Sequence, residues 1–336
     1  MQGAIQLIEV MNLYIKKSQT DCFEAIVADQ LLCKYPESDM YSLQGADYSD
    51  YCVHLMHSPE NILTDKIFYM AAHQPKGAEN NPNLHICLPM AAVYNSEWKC
   101  VGYMTLMPFE GSLGLSLLTS YNARPISKRK RFASKPEWHD KFERDEVGMQ
   151  NRYKLLYNVV KALHLVPECY SIANLTPEEI LITPKGKVSI IGLYNTQIAE
   201  NGKVLFPMRS ITPDYFAPEA YKARSAKEAI PASAGLFSVA VYIYQVLTGT
   251  HPYAGTVLRP PYDSASEISD CIKNDLFPFG ERKQYITLPD GLNLHKAFES
   301  MPADIQQLFK QAFSSNYTSR PTLEQWGKTI YNTITR

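Results

Sequence analysis

The sequence predicts an α+β chain, with a small β-rich portion followed by a larger and mostly helical one. Two patterns predict it. Short runs of Ile, Val, Leu and Phe, broken by polar clusters, fill the first hundred or so residues. From residue 147 onward the apolar residues recur instead at helical spacing. With 336 residues, 45% of them hydrophobic, the chain can bury one large core or two ordinary ones.

The elements follow in order. Residues 13–16, 23–28 and 30–34 read as strands, separated by polar residues at 18–21 and near Asp29. A polar connection spans 36–50. Ser58-Pro59-Glu60 then offers an N-cap, a proline at the first helical position and an early acid, and Ile62, Ile67 and Met70 continue at helical spacing. Residues 85–94 and 100–107 read as two more strands joined at Asn95-Ser96. That makes five strands and one helix. Further on, Met149, Tyr153, Leu156, Val159, Val160 and Leu163 form one helical stripe. Residues 180–183 and 188–191 flank Pro184-Lys185-Gly186, a hairpin signal. Residues 236–247 are apolar on nearly every face and predict a buried helix ended by Gly249 and Pro252; 304–313 and 323–334 predict two amphipathic helices.

Composition excludes several classes of function. A net charge of -1 lacks the basic excess that phosphate contacts need, so no nucleic-acid partner is expected. No apolar run approaches the roughly 18 residues of a membrane helix, and no secretory pattern opens the chain, so no membrane association is expected. The seven cysteines form no C-x-x-C pair and the eight histidines show no ligand spacing; reduced, packed thiols in a cytoplasmic protein are the expectation, with no metal. The run Ser127-Lys128-Arg129-Lys130-Arg131 reads as a solvated loop, with a docking patch for an acidic partner as the alternative. Charged residues make up 20% of the chain, below the roughly 25% of ordinary soluble domains.

Five anchors in the second half occur in the order found in protein kinases. Asn174-Leu175-Thr176-Pro177-Glu178-Glu179-Ile180-Leu181 looks like a catalytic loop entering a strand, and Ala217-Pro218-Glu219 is an intact A-P-E. Leu236-Phe237-Ser238 opens the apolar helix, Leu247-Thr248-Gly249 ends it, and Arg320-Pro321-Thr322 matches a late R-P-T. The chain resembles the protein-kinase family. Within it, Gly249-Thr250-His251-Pro252-Tyr253-Ala254-Gly255 resembles the G-x-H-P-[FY]-x-G segment of a divergent bacterial group that often occurs with PPM-type phosphatases and von Willebrand A-type proteins. The resemblance implies one kinase-like domain over 1–336, with a small lobe at 1–104, a hinge at 105–110 and a large lobe at 111–336.

It also fixes where the chemistry should stand. Phosphoryl transfer needs a base beside the attacking hydroxyl and carboxylates on Mg²⁺. The slot of the base holds Asn174, preceded by Ile172-Ala173 where His-Arg would stand. The slot of the metal-binding Asn holds Glu179, that of the D-F-G Asp holds Gly192 in Gly192-Leu193-Tyr194, and that of the Asp opening the central helix holds Gly235. Catalytic residues are therefore expected to be absent. Glu219 and Arg320 match the pair that ties the A-P-E segment to the late helices, a structural role.

In the small lobe, the alignment puts Lys16, Ser18 and Asp21 at the glycine slots, Phe23 over the adenine and Lys34 at the end of V-A-I-K, with Glu60 or Asp65 as its partner and Met104 near the gatekeeper. Lys34, Phe23 and Met104 are thus the candidate remnant of a nucleotide pocket; a solvated Lys34 ending an edge strand is an equal reading. The expectation is an inactive kinase-like protein, a pseudokinase, acting as a protein-binding or regulatory scaffold. No cofactor is expected, ATP binding is expected weak or absent, and the partner implied is a phosphatase or von Willebrand A-type protein. The alternative is an enzyme or nucleotide sensor with a rewired metal site built from Lys34 and Glu178 or Glu179.

Overall fold

The computed structural model describes residues 11–77, 81–121, 126–132, 134–139, 141–221, 228–288 and 294–336. Within the basic run, the side chains of Ser127 and Arg131 lie outside the described residues. The chain divides into two compact units, one formed by Met1–Lys76 and Ile86–Pro108, the other by Gly77–His85 and Phe109–Arg336.

The first unit is a closed antiparallel barrel of six strands. Its members are β1 (Met11–Lys16), β2 (Glu24–Lys34), β3 (Ser38–Leu43), β4 (Tyr51–Met56) and, after the helix α1 (Thr64–Ala72) and strand β5 (Leu84–Ile86), the pair β6 (Ala91–Tyr94) and β7 (Cys100–Leu106). The order around the barrel is β1-β2-β3-β4-β7-β6, and β6 closes onto β1 with Tyr14 opposite Tyr94. Alternate residues face inward. Leu13, Ile15, Ile26, Ala28, Leu43, Val53, Ala91, Val93 and Met104 meet in the interior, which a barrel this narrow fills with side chains.

Four sequence expectations change in this unit. The two strands expected at 23–28 and 30–34 are the single strand Glu24–Lys34, because the break at Asp29-Gln30 is absorbed by register shifts against β3, where Ser42 Oγ accepts from the Gln30 amide at 3.0 Å. The connection over 36–50 contains β3, and β4 follows it. In β3 the buried positions include Ser38 beside Met40 and Leu43, so the apolar alternation is blurred; β4 buries Cys52, Val53 and His54 in succession, so it shows no alternation at all. Residues 85–94 are two strands, split at Pro89 and belonging to different sheets. The helix also starts later. Pro59–Asn61 is a single 3-10 turn, Ser58 makes no side-chain cap, and Ile62 is extended before α1 begins.

The second unit is mainly helical. A small sheet of order β5-β10-β9-β8 contains the hairpin β9 (Ile180–Ile182) and β10 (Val188–Ile190), with β8 (Leu113–Gly114) on its edge. Two further strands, β11 (Ile198–Glu200) and β12 (Lys203–Phe206), pair antiparallel, as do β13 (Val257–Leu258) and β14 (Ile286–Thr287). The helices are α2 (Ser116–Thr119), α3 (Pro136–His139), α4 (Glu146–His164), α5 (Ala232–Thr248), α6 (Ile268–Lys273), α7 (Lys296–Glu299), α8 (Ala303–Ala312) and α9 (Leu323–Thr335).

Helix α4 starts where the Asp145 carboxylate accepts from the Gly148 amide at 2.7 Å. Helix α5 is buried over most of its length and stops at Gly249, whose left-handed φ of 84° lets its amide return to the Gln245 carbonyl at 2.7 Å. Around α5 the rings of Tyr244, Phe277, Phe298, Phe309 and Phe313 meet, mostly edge to face. A capping box between Thr322 and Gln325 opens α9, which brings Trp326 onto Phe309 at 5.0 Å. No helix among the described residues is long and apolar enough to cross a membrane. All seven cysteines are free thiols.

Candidate functional site

The loop that carries the kinase-like slots runs from Ile172 to Glu179, between the end of α4 and β9. Asn174 spends its side-chain oxygen on the chain itself, accepting from the Thr212 amide at 2.9 Å. Glu179 closes a local turn: its Oε2 accepts from the Thr176 amide at 2.8 Å and from the Thr176 hydroxyl at 3.1 Å. The neighbouring Glu178 is exposed.

The Glu179 side chain lies in the space beside Gly192. Gly192 follows β10 with φ 76°, a left-handed conformation that L side chains avoid. A Cβ built on it would lie 2.1 Å from Glu179 Oε1. The carboxylate at 179 thus occupies the space in which any side chain at 192 would have to start. The corner is fixed by backbone as well, since the Ile191 amide donates to the Glu179 carbonyl at 2.8 Å.

The slot at Gly235 is filled in the same manner. A Cβ there would meet Ile172 Cγ1 at 2.5 Å, so an apolar side chain from the loop covers the space beside Gly235. Sequence reasoning missed what braces the loop instead. The Ser238 hydroxyl sits within 3.1 Å of the Ala173 carbonyl and 2.7 Å of the Tyr215 carbonyl, and Tyr242 donates to the Leu175 carbonyl. Both residues lie on α5, one and two turns beyond Gly235. Burial pushes the Tyr242 phenol well above its ordinary range and keeps it a neutral donor. The only signal in the sequence was the presence of hydroxyl side chains within a mostly apolar helix.

His251 is a packed residue. Its Nε2 donates to the Asp214 carbonyl at 2.9 Å and its Nδ1 accepts from the Tyr253 amide at 3.2 Å. Burial lowers it to about 4, so the ring is neutral.

Glu219 and Arg320 are brought together. The Arg320 side chain is 1% exposed and donates to Glu219, to the Ser233 carbonyl at 2.9 Å and, through Nε, to the Ala312 carbonyl at 3.0 Å. Ser233 donates to the same Glu219 oxygen at 2.8 Å, and the guanidinium lies over the rings of Phe237 and Tyr317.

In the first unit, the three candidate nucleotide-pocket residues do not share a site. Lys34 is exposed at the end of β2, in register with Asp39, and both β3 and β4 separate it in sequence from α1. The reading that ran from Lys34 to the helix through a polar connection therefore skipped two strands. Its proposed partners are engaged elsewhere: Asp65 accepts from Gln19 at 3.0 Å and Glu60 from Asn61 at 3.3 Å. Phe23 is 42% exposed and packs on Tyr94 and Trp98, with Lys16 over its ring. Met104 alone is buried, opposite Val53 and Ala91 in the barrel, where it lines a cavity. Among the described residues no group of three or more His, Cys, Asp or Glu side chains is arranged to hold a metal ion.

No protein-family model matches the sequence, and no curated protein matches it either. A solved structure does. A rhoptry kinase from Toxoplasma gondii superposes with a TM-score of 0.58 at 11% identity, over 97% of this chain and 84% of that one. At that identity the likeness carries the architecture and not the activity. The chain has a protein-kinase-like fold.

Proposed function

We propose that this kinase-fold chain is a pseudokinase, a protein without phosphotransfer chemistry that acts as a protein-binding or regulatory scaffold. One observation carries the reading: the Glu179 carboxylate fills the space beside Gly192, where the fold would otherwise place the carboxylate that bridges Mg²⁺ to the phosphates. A base is lacking too, because Asn174 is a neutral amide already bonded to the Thr212 amide. The slots are not vacant. Glu179 and Asn174 both bond the chain's own backbone, as a protein would keep them if the loop served only to hold shape. The finer assignments, a bacterial cytoplasmic setting and a phosphatase or von Willebrand A-type partner, belong to the same proposal.

The experiment is a phosphotransfer assay with ATP and Mg²⁺ or Mn²⁺, paired with thermal melts at rising ATP. No turnover and no shift are the expected results. A ligand present at ten times its Kd stabilises by about 1.4 kcal/mol, well within reach of a melt. A shift without turnover would replace the scaffold by a nucleotide sensor. Turnover abolished by Glu179→Gln would replace it by an enzyme with a rewired metal site.

A further inference from the structure

One end of the barrel holds a cavity of about 610 Å³, lined wholly by residues of the first unit. The registers place it. The last residues of β1, the first of β2 and β4, and the first of β6 all come together at this end, because neighbouring strands run antiparallel. Barrel mouths are common ligand sites, and this volume lies in the usual range of roughly 300–1,000 Å³.

The lining has two parts of different chemistry. Ile15, Met90 and Met104 form an apolar floor, with Phe68 and Ala71 of α1 and the ring of Tyr51 as walls. Three carboxylates, Asp21, Glu24 and Asp47, stand in the lining against one cation, Lys17. Among the described residues Lys17 makes no ion pair with any of them. Tyr48 donates to Glu24, and that bond, more than burial or the charges of Glu24 and Asp47, pushes its phenol up to about 12. The loop that carries Lys17 and Asp21 is tied to α1 by Gln19 on Asp65.

An apolar floor under an acidic lining selects its occupant. A phosphate or carboxylate would meet three like charges, and a purely apolar group would gain nothing from them. A cation on an aliphatic stem meets both demands, stem on the methionines and head among the carboxylates. We infer that the barrel mouth is a docking site for a basic segment of a protein partner, which inserts a lysine or arginine side chain into the cavity. This names the chemistry of the partner and rests on the scaffold reading for its role.

The test uses the full chain with ¹³C-methyl-labelled methionine, titrated in the absence of nucleotide. The probe is the capped peptide Ala-Leu-Lys-Leu-Arg-Ala, with Ala-Leu-Glu-Leu-Glu-Ala as its charge-reversed control. The methyl signals of Met90 and Met104 should move with the basic peptide and stay with the acidic one, while that of Met301, buried in the other unit, stays throughout. The exposed pair Asp21→Lys and Asp47→Lys should weaken binding at least tenfold without lowering the melting temperature, and Ala71→Phe should block the site by filling it. Equal shifts with both peptides, or binding indifferent to all three substitutions, overturns the inference. Shifts with n-butylamine but not with the basic peptide overturn the partner in favour of a small amine. Since no nucleotide is present, a chain that proved catalytic could still pass, and one without turnover could still fail.

Discussion

Two carboxylates of the second unit are held in opposite ways. Glu219 faces a guanidinium that is 1% exposed, and the pair shares Ser233 and the rings of Phe237 and Tyr317. Glu179 is held by a threonine hydroxyl and an amide of its own turn, with its other oxygen pressed toward Gly192. The first arrangement is built around a cation that the chain supplies. The second is bonded by the backbone and hydroxyl of its own turn. A buried charge persists where its counter-charge is covalently part of the protein, because desolvating it alone is expensive.

The largest test of this contrast removes the internal cation. Arg320→Ala strands Glu219, frees the Ala312 and Ser233 carbonyls and empties the space over Phe237. Breaking such a pair destabilises by about 3–5 kcal/mol. Urea unfolding should report that loss, and it should shrink in an Arg320→Ala, Glu219→Ala double variant. Equal losses in both would mean that packing, and not charge, holds the anchor.

A pH series examines the groups that the fold keeps neutral. His251 and His54 each fall to about 4 in the folded chain, in both cases through burial, against an ordinary value near 6.5. The unfolded chain therefore binds more protons between pH 6.5 and 4, so stability is full above about 6.5 and declines as pH falls through that window. Each ring accounts for up to about 3 kcal/mol by pH 4. His251→Gln should flatten the decline in the second unit and His54→Gln that in the first. Unchanged pH profiles would show that neither ring is buried neutral in solution.

Much of this was legible in the sequence, and what was not has physical causes. The helices α4, α8 and α9 stand out because burial at 3.6-residue spacing leaves a direct imprint, and α5 because it is apolar on nearly every face. The hairpin at Pro184-Lys185-Gly186 does so because turn residues are few. Strand β4 left no imprint, since Cys52, Val53 and His54 are buried one after another and a strand covered on both faces has no alternation. Motif order singles out Asn174, Glu179, Gly192 and Gly235, but not the fact that Glu179 lies against Gly192 and Ile172 against Gly235. Such an approach across 13 residues of chain, from 179 to 192, is a property of space and not of pattern. The barrel cavity was invisible for the same reason: its lining is drawn from five separate stretches of chain.

The closed corner itself is tested by Gly192→Ala. The methyl would meet the Glu179 carboxylate and sit at a left-handed φ, together about 2–3 kcal/mol of destabilisation. In a Glu179→Ala background the clash is gone and only the backbone strain of about 1–2 kcal/mol remains. The comparison of the two in thermal melts isolates the part due to the carboxylate. If Gly192→Ala is equally harmful in both backgrounds, Glu179 does not occupy that space, and the observation that carries the scaffold reading fails with it.

The smallest effect concerns the braces that stand where a carboxylate at 235 would. Ser238→Ala removes one hydroxyl shared among the Ala173, Tyr215 and Ala234 carbonyls, and Tyr242→Phe removes the donor to the Leu175 carbonyl. Each should lower stability by about 1 kcal/mol, the net worth of a typical internal hydrogen bond. Their combination matters more than either value. If the two hydroxyls hold one rigid loop to α5, the losses should fail to add, because freeing Leu175 already loosens Ala173 two residues away. Strict additivity would mean that the loop is held independently at each point. In that case α5 carries the loop as it carries any neighbouring segment, and the two hydroxyls are not one brace.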